Sequence, residues 1–382
     1  MRWMDWDFKY QITQSLSSKR ERGLGQGHSM QPKKFQTLVL TWFEQHGRKT
    51  LPWQAKINPY RVWISEIMLQ QTQVATVIDY FQRFIERFPT LNTLAQTPID
   101  DVLPFWSGLG YYARARNLHR CAQIIAEHYH GKFPDTLEQL IELPGIGKST
   151  AGAILAIAFN KQATILDGNV KRVLQRFFGI QEWYGQPATL KQLWELAETL
   201  TPKTHTADYT QAMMDLGATI CTRARPKCPD CPLQKSCIAF HENLTTVIPI
   251  SKPKKQLPTK HTLMLILENK HGEIYLEKRP DQGIWGGLWS LPEADPDIDI
   301  EDYCANCLRY AVKSYEPWDS FKHTFSHYHL MITPVHAKLK KEPLKKIAPG
   351  QAIWYKPDDL NEQLGLAAPV KKLLNKLFES TL

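Results

Sequence analysis

Long apolar runs are missing from this 382-residue chain. Nothing approaches the roughly 20 apolar residues that a bilayer-crossing helix requires, and the longest stretch, residues 151–159, suits a buried helix. A secretory pattern is missing as well, because Arg2, Asp5, Asp7 and Lys9 break up any apolar segment at the N-terminus. A cytoplasmic protein with no membrane partner is therefore expected. Acidic residues are in deficit, with 38 Asp and Glu against 47 Lys and Arg, for a formal charge of +9. That balance favours a polyanionic partner, although a soluble protein that is merely basic would share it. Cues for alternating strand and helix are also absent, which argues against a parallel α/β sheet. Cysteine is scarce, yet four of the seven fall in one short loop.

Those four, Cys221, Cys228, Cys231 and Cys237, are spaced C-x6-C-x2-C-x5-C. A reducing cytosol would keep such thiols available, and four soft thiolates can wrap one metal centre. Zinc sites usually read as two tight C-x2-C pairs, and only Cys228 and Cys231 form one here, so an Fe–S cluster is favoured over zinc or unligated thiols. Arg223, Arg225, Lys227 and Lys235 lie between the ligands, which suggests a rigid, positively charged knuckle for phosphates.

The length allows two or three domains. Residues 1–29 form an N-terminal extension whose Ser-, Lys-, Arg- and Gly-rich end is expected to be poorly ordered or untranslated, with Met30 as the alternative start. From 30 to 240 apolar residues recur at three and four, as in Val170, Val173, Leu174 and Phe177, which predicts a helical domain. Residues 241–260, rich in proline and lysine, read as a linker. Over 261–382 the pattern turns to apolar runs around a His271-Gly272 turn, predicting a separate α+β domain.

Within the helical region, Leu143-Pro-Gly-Ile-Gly-Lys-Ser-Thr150 predicts a helix-hairpin-helix over about 138–160. Gly145 and Gly147 allow a tight turn that aims the amides of the following helix at a phosphate. A nucleotide-binding P-loop would need glycine five residues before Gly147, where Glu142 stands, so that reading is disfavoured. Further on, Asp167 is placed to cap a helix.

The hairpin, an aspartate twenty residues beyond it and the downstream four-cysteine loop together resemble the helix-hairpin-helix DNA glycosylases of the endonuclease III type. Within that superfamily, Gly47-Arg-Lys-Thr-Leu-Pro-Trp53, the run from Pro59 through Glu66 to Val74, and Gly108-Leu-Gly-Tyr-Tyr-Ala-Arg-Ala-Arg-Asn117 resemble the MutY adenine DNA glycosylases. Phe325-Ser326-His327, set in a Nudix-like region, resembles the element with which that family reads 8-oxoguanine. The resemblance implies an all-α helix-hairpin-helix glycosylase fold with one 4Fe–4S cluster on the loop 221–237, followed by an α+β Nudix-like domain. It also implies removal of adenine mispaired with 8-oxoguanine or guanine in duplex DNA, by a monomer.

Adenine is a poor leaving group as an anion, so its release calls for an acid at the base and a carboxylate near the oxocarbenium-like sugar. Glu66 and Asp167 fit those roles. Glu66 lies among Trp63, Ile67 and Met68, where desolvation would raise its pKa, although its local pattern also fits a surface glutamate on an amphipathic helix. Asp167 is expected to stay ionised because helix amides favour its charged form. Strand-nicking relatives carry lysine where this chain has Ser149, which implies release of an abasic site with an intact backbone, Lys148 and Lys171 being the nearby amines. By resemblance Gln71 and Tyr111 are wedges around the 8-oxoguanine, Trp53, Gln54 and Gln211 line the adenine pocket, and Gln70, Lys49, Lys171, Asn169 and the amides near Gly145 and Gly147 contact the DNA. By local pattern alone Trp53 and Tyr111 could be core aromatics and Gln71 a solvated residue.

Gly287 and Glu293 match the start of a Nudix box, but residues 294–307 lack the Arg-Glu and paired glutamates that would hold magnesium, so pyrophosphate hydrolysis is not expected. Cys121, Cys304 and Cys307 read as structural thiols, and His323, His327 and His329 lack the fourth ligand of a zinc site. Two alternatives remain: an endonuclease III-like pyrimidine glycosylase/lyase, and a DNA-binding protein without catalysis.

Overall fold

A computed structural model describes residues 30–252, 256–280, 283–340, 351–356 and 364–379. The expected N-terminal extension lies outside them, as do three residues of the expected linker. The chain forms two compact units that interleave in sequence, one from the segments up to Arg48 and 160–252, the other from 49–159 and 253 onward. Packing thus divides the helical region itself and joins the C-terminal region to residues 49–159, whereas the sequence boundaries had followed changes in composition.

The first unit is built on helices Pro32–His46, Gly168–Phe178, Pro187–Leu200 and Thr206–Asp215. The 168–178 helix forms where the sequence predicts one. Asp167 caps its start, Gly179 ends it in a left-handed conformation, and Val170, Val173, Leu174 and Phe177 make its buried stripe. Phe177 meets Phe35 of the 32–46 helix edge to face at 5.0 Å. A π-turn, Leu216–Ile220, leads into the cysteine loop, which continues as two short 3-10 turns and the helix Ile238–His241. Part of the expected linker folds here as well. Ile248 is buried, and its carbonyl accepts a hydrogen bond from Arg176 Nε at 2.7 Å. A buried guanidinium needs acceptors, and this backbone supplies one.

The second unit has a helical part with helices Pro59–Leu69, Val74–Arg87, Ala113–His128 and Lys148–Phe159 around Trp63, Ile64, Met68, Phe81, Phe84, Trp106 and Leu118. The helix-hairpin-helix is present as Leu137–Ile141, a turn, and Lys148–Phe159. Gly145 has φ +81, and a Cβ there would come within 3.0 Å of the Asn117 side chain, so the turn requires glycine.

The unit's mixed sheet contains β1 (Thr259–Glu268), β2 (Ile274–Lys278), β3 (Trp289–Ser290), β4 (Glu293–Ala294), β5 (Val312–Pro317), β6 (Phe321–Thr324), β7 (His329–Leu339) and β8 (Ala352–Tyr355). Its main order is β3-β2-β1-β7-β5, with β4 on β1, β6 on β7 and β8 on β2. β1 and β7 run parallel over the full length of β1. Buried on both faces, β1 explains the unbroken apolar run 263–267. The expected turn at His271-Gly272 joins β1 to β2. The helix Ala368–Glu379 buries Val370, Leu373, Leu374 and Leu377.

Candidate functional site

In the first unit, Asp167 Oδ1 accepts the Val170 amide at 2.8 Å, and Oδ2 accepts Asn169 Nδ2 at 2.9 Å. Both carboxylate oxygens are thus held, one by the helix start and one by a side chain. The group keeps some accessible surface, but burial is the largest influence on it and raises its pKa above the ordinary range. The hydrogen bonds from Val170 and Asn169 and the nearby Arg172 pull the other way without cancelling that rise. This corrects the expectation that helix amides dominate, because in a recess the lost hydration outweighs two hydrogen bonds. Asn169 in turn accepts Arg172 Nη2 at 2.9 Å, and Arg172 also donates to the carbonyls of Gly217 and Cys221. A Cβ at position 217 would stand 2.5 Å from that of Asn169, so glycine is what admits this close approach. Lys171 lies 5.2 Å from the Tyr184 ring, and burial lowers its pKa.

The four cysteines of the loop line one pocket together with Arg176, Ile220, Pro226 and Phe240. Arg176 Nη1 is 3.4 Å from Cys221 Sγ and also donates to the carbonyl of Thr222. Burial pushes the Cys231 thiol up to about 12 and Cys237 to about 11, so these sulfurs would become thiolates only with a cationic centre among them. Among the described residues no group of three or more His, Cys, Asp or Glu stands in ligating geometry. Even so, an all-sulfur donor set facing one pocket fits an Fe–S cluster by ligand type and number. Arg223, Arg225, Lys227 and Lys235 are exposed around it.

Also in the first unit, buried Asp215 accepts the Arg48 amide at 2.7 Å, Arg48 Nε at 2.9 Å and Arg48 Nη2 at 2.7 Å. Gln211 Nε2 donates to the same carboxylate at 2.8 Å. Gln211, expected at an adenine pocket, is therefore engaged in fixing the segment that leads to Lys49.

In the second unit, Glu66 lies half-buried on the 59–69 helix, beside buried Trp63, Ile67 and Met68. Trp53 is buried and lies edge to face with Phe81 at 5.6 Å. The Gln54 side chain accepts the Leu51 amide at 3.0 Å in a tight turn. Gly145 and Gly147 are exposed, and Ser149 lies in the first turn of the helix beyond them.

Gln71 and Tyr111 have φ +58 and +48, a left-handed conformation that side chains of this size rarely adopt, and Tyr111 is 54% exposed. Arg114 holds both loops. Its Nη1 donates to the carbonyls of Ile67, Met68 and Gln70, and its Nη2 to Thr72 Oγ1 and the carbonyls of Leu109 and Gly110. The first two carbonyls end the 59–69 helix, where no intrahelical donor remains. Sequence reasoning missed Arg114, although its place on the apolar stripe Ala115, Leu118, Ala122 and Ile125 marks it as unusual.

The turn between β6 and β7 presents Ser326 and His327 to solvent and is closed by a 2.9 Å hydrogen bond from the Phe325 amide to the Tyr328 carbonyl. Beneath it His323 packs on Phe325 at 4.7 Å, so this histidine serves the aromatic packing.

Residues 64–199 match the family described as HhH-GPD superfamily base excision DNA repair protein, and residues 263–376 match the NUDIX domain. The chain is 43% identical over 346 residues to the adenine DNA glycosylase of Buchnera aphidicola subsp. Baizongia pistaciae, covering 90% of this chain and 96% of that relative. It is 32% identical to the adenine DNA glycosylase of Homo sapiens, covering 90% and 73%. Among solved structures it is similar to a thermostable thymine-DNA glycosylase, with TM-score 0.51 and 31% identity, over 55% of this chain and 97% of that one.

Proposed function

The chain belongs to the adenine DNA glycosylases, and from that premise we propose that it hydrolyses the N-glycosidic bond of adenine mispaired with 8-oxoguanine or guanine in duplex DNA. It is an enzyme of base excision repair that acts on DNA. The observation that carries the assignment of chemistry is the Asp167 carboxylate, held at both oxygens by Val170 and Asn169 in a recess that raises its pKa.

In this reading Glu66 gives its proton to the departing adenine, so that the base leaves neutral. Asp167 faces the sugar, where a fixed carboxylate in a water-poor site stabilises positive charge at C1′ or bonds to it. Asn169 keeps that carboxylate from turning away. Ser149 offers no amine to C1′, so water completes the reaction and leaves an abasic site in an unbroken strand. The exposed amides around Gly145 and Gly147, at the start of the 148–159 helix, hold a phosphate together with Lys49. Tyr111 and Gln71, both exposed and in left-handed conformation, wedge around the 8-oxoguanine opposite the extruded adenine.

Cys221, Cys228, Cys231 and Cys237 would hold a 4Fe–4S cluster, whose bound form cross-links the loop. The loop then presents Arg223, Arg225 and Lys227 as a rigid basic surface. By function, residues 30–240 carry the excision chemistry and 261–382 carry the reading of the opposite base through Phe325, Ser326 and His327.

Duplexes with A:8-oxoguanine, A:G or thymine glycol, incubated with the protein and treated with or without alkali, test the proposal. Strand breaks only after alkali, on the two adenine duplexes, are expected. Alkali-independent breaks, or cleavage of thymine glycol alone, would instead indicate a pyrimidine glycosylase/lyase.

A further inference from the structure

The turn 325–327 rests on an aromatic support that the chemistry above leaves unused. Trp285 is 8% exposed and stacks 5.2 Å from Phe325 and 5.4 Å from His323. Its φ of +55 is a strained value for so large a side chain, of the kind that persists only where the surroundings over-determine it. Arg279 imposes it. The guanidinium lies 5.6 Å from the indole ring, Nε donates to the Ile284 carbonyl at 3.1 Å, and Nη1 pairs with Glu293. The carbonyl of the next residue, Gly286, accepts Arg116 Nη1 at 2.6 Å. Arg116 stands on the 113–128 helix, which begins directly after the loop that carries Tyr111.

We propose that Trp285 and Arg116 are positioning residues for recognition of the base opposite adenine. Trp285 fixes the height of the Phe325-Ser326-His327 turn, and the Arg116–Gly286 bond ties that turn to the Tyr111 wedge, so the two elements meet the same nucleotide as one body. This rests on the reading of residues 325–327 as the contact to 8-oxoguanine. The physical reason for such a tie is entropic. A reader and a wedge that moved independently would each be ordered afresh on every encounter, whereas a pre-set pair is ordered once, during folding.

The test uses the full chain and single-turnover excision on A:8-oxoguanine and A:G duplexes at one salt concentration. Combined Ser326→Ala and His327→Ala is the reference, expected to lower the A:8-oxoguanine to A:G rate ratio. Arg116→Met and Trp285→Leu should each lower the same ratio by about three- to tenfold, the scale of one ordinary intramolecular hydrogen bond, with Trp285→Phe restoring most of it. Adding Arg116→Met to the reference should bring no further loss, a non-additivity that general destabilisation would not produce. A lowered ratio in the reference with parental ratios in Arg116→Met and both Trp285 variants overturns the proposal and leaves the reading of 325–327 standing. An unchanged ratio in the reference overturns that reading, and the proposal falls with it. If Trp285→Leu fails to fold, Arg116→Met decides, because it changes a half-exposed helix position. Full additivity of Arg116→Met with the reference would likewise refute the tie.

Discussion

Arg114→Lys is the substitution that best separates wedge geometry from chemistry. It keeps the charge, and with it the long-range attraction to DNA, but replaces a planar fork by a point donor. Arg114 serves six acceptors at 2.6–3.3 Å, and its guanidinium lies 5.3 Å from the Trp106 ring and 5.7 Å from that of Tyr111. Four N–H groups on two nitrogens share these six acceptors across two loops, whereas an ammonium offers three N–H groups from a single atom and cannot serve both loops, so several acceptors lose their donor. Hydrogen bonds to a charged donor are worth about 1.5–3 kcal/mol each, and water can replace some of them at the half-buried Gln70 and Gly110 carbonyls, so a loss of about 2–4 kcal/mol is expected. The released strain offsets part of that stability loss, but it favours displacement of the two loops. Left-handed conformations at Gln71 and Tyr111 cost about 1–3 kcal/mol each, and without the clamp both loops relax away from that geometry. Urea unfolding measures the stability loss. Single-turnover excision well below the melting temperature, where all molecules are folded, should be at least about tenfold slower on A:8-oxoguanine, as each lost 1.4 kcal/mol of wedge placement is a factor of ten. A stability change below about 0.5 kcal/mol, the range of ordinary surface substitutions, together with parental excision, would refute the clamp.

Glu66→Gln and Asp167→Asn should each reduce adenine release to background in an alkali-cleavage assay, while gel-shift affinity for the mispaired duplex stays within about threefold, since size is kept and only proton or charge is removed. Asp167→Asn should also raise the melting temperature at pH 7. The native carboxyl has a pKa above its unfolded value, so the native state binds more protons between the two values and loses stability as pH rises through that window. The gain should therefore vanish on acidification below the ordinary carboxylate range, and equal melting temperatures at pH 7 would contradict the raised pKa. Cys228→Ala should abolish the broad absorption at about 400 nm expected of Fe–S thiolate charge transfer and lower duplex affinity. Stoichiometric zinc in the parent protein would reassign the site.

Much of the helical part was legible because its signals are local. Asp167 caps its helix within three residues, Val170 to Phe177 form the stripe that its period demands, and Gly145 marks the hairpin turn. The β1–β2 hairpin was readable for the same reason. What escaped depends on backbone atoms or on distant partners. Arg114 pairs almost wholly with carbonyls, which every residue possesses, so no residue pattern announces them. Asp215 and Arg48 are 167 positions apart. The direction of the Asp167 shift turns on how deep the recess is, a property of the assembled unit, whereas capping is a property of one segment. Trp285 carries no signal in the sequence, and its strain appears only as a dihedral angle.

The interleaving of the two units has a consequence for how the chain is made. The 32–46 helix emerges early from synthesis with Phe35, Val39, Trp42 and Phe43 on one side, yet the 206–215 helix of its own unit follows only after the whole 49–159 segment. At about 5–20 residues per second, that first helix waits on the order of ten to thirty seconds for its partner. During that interval its apolar stripe is open to whatever binds nascent chains, while residues 49–159 can already begin to collapse around Trp63 and Phe84. A silent codon change that slows translation between 160 and 206 should therefore reduce soluble yield without altering a single residue of the finished protein.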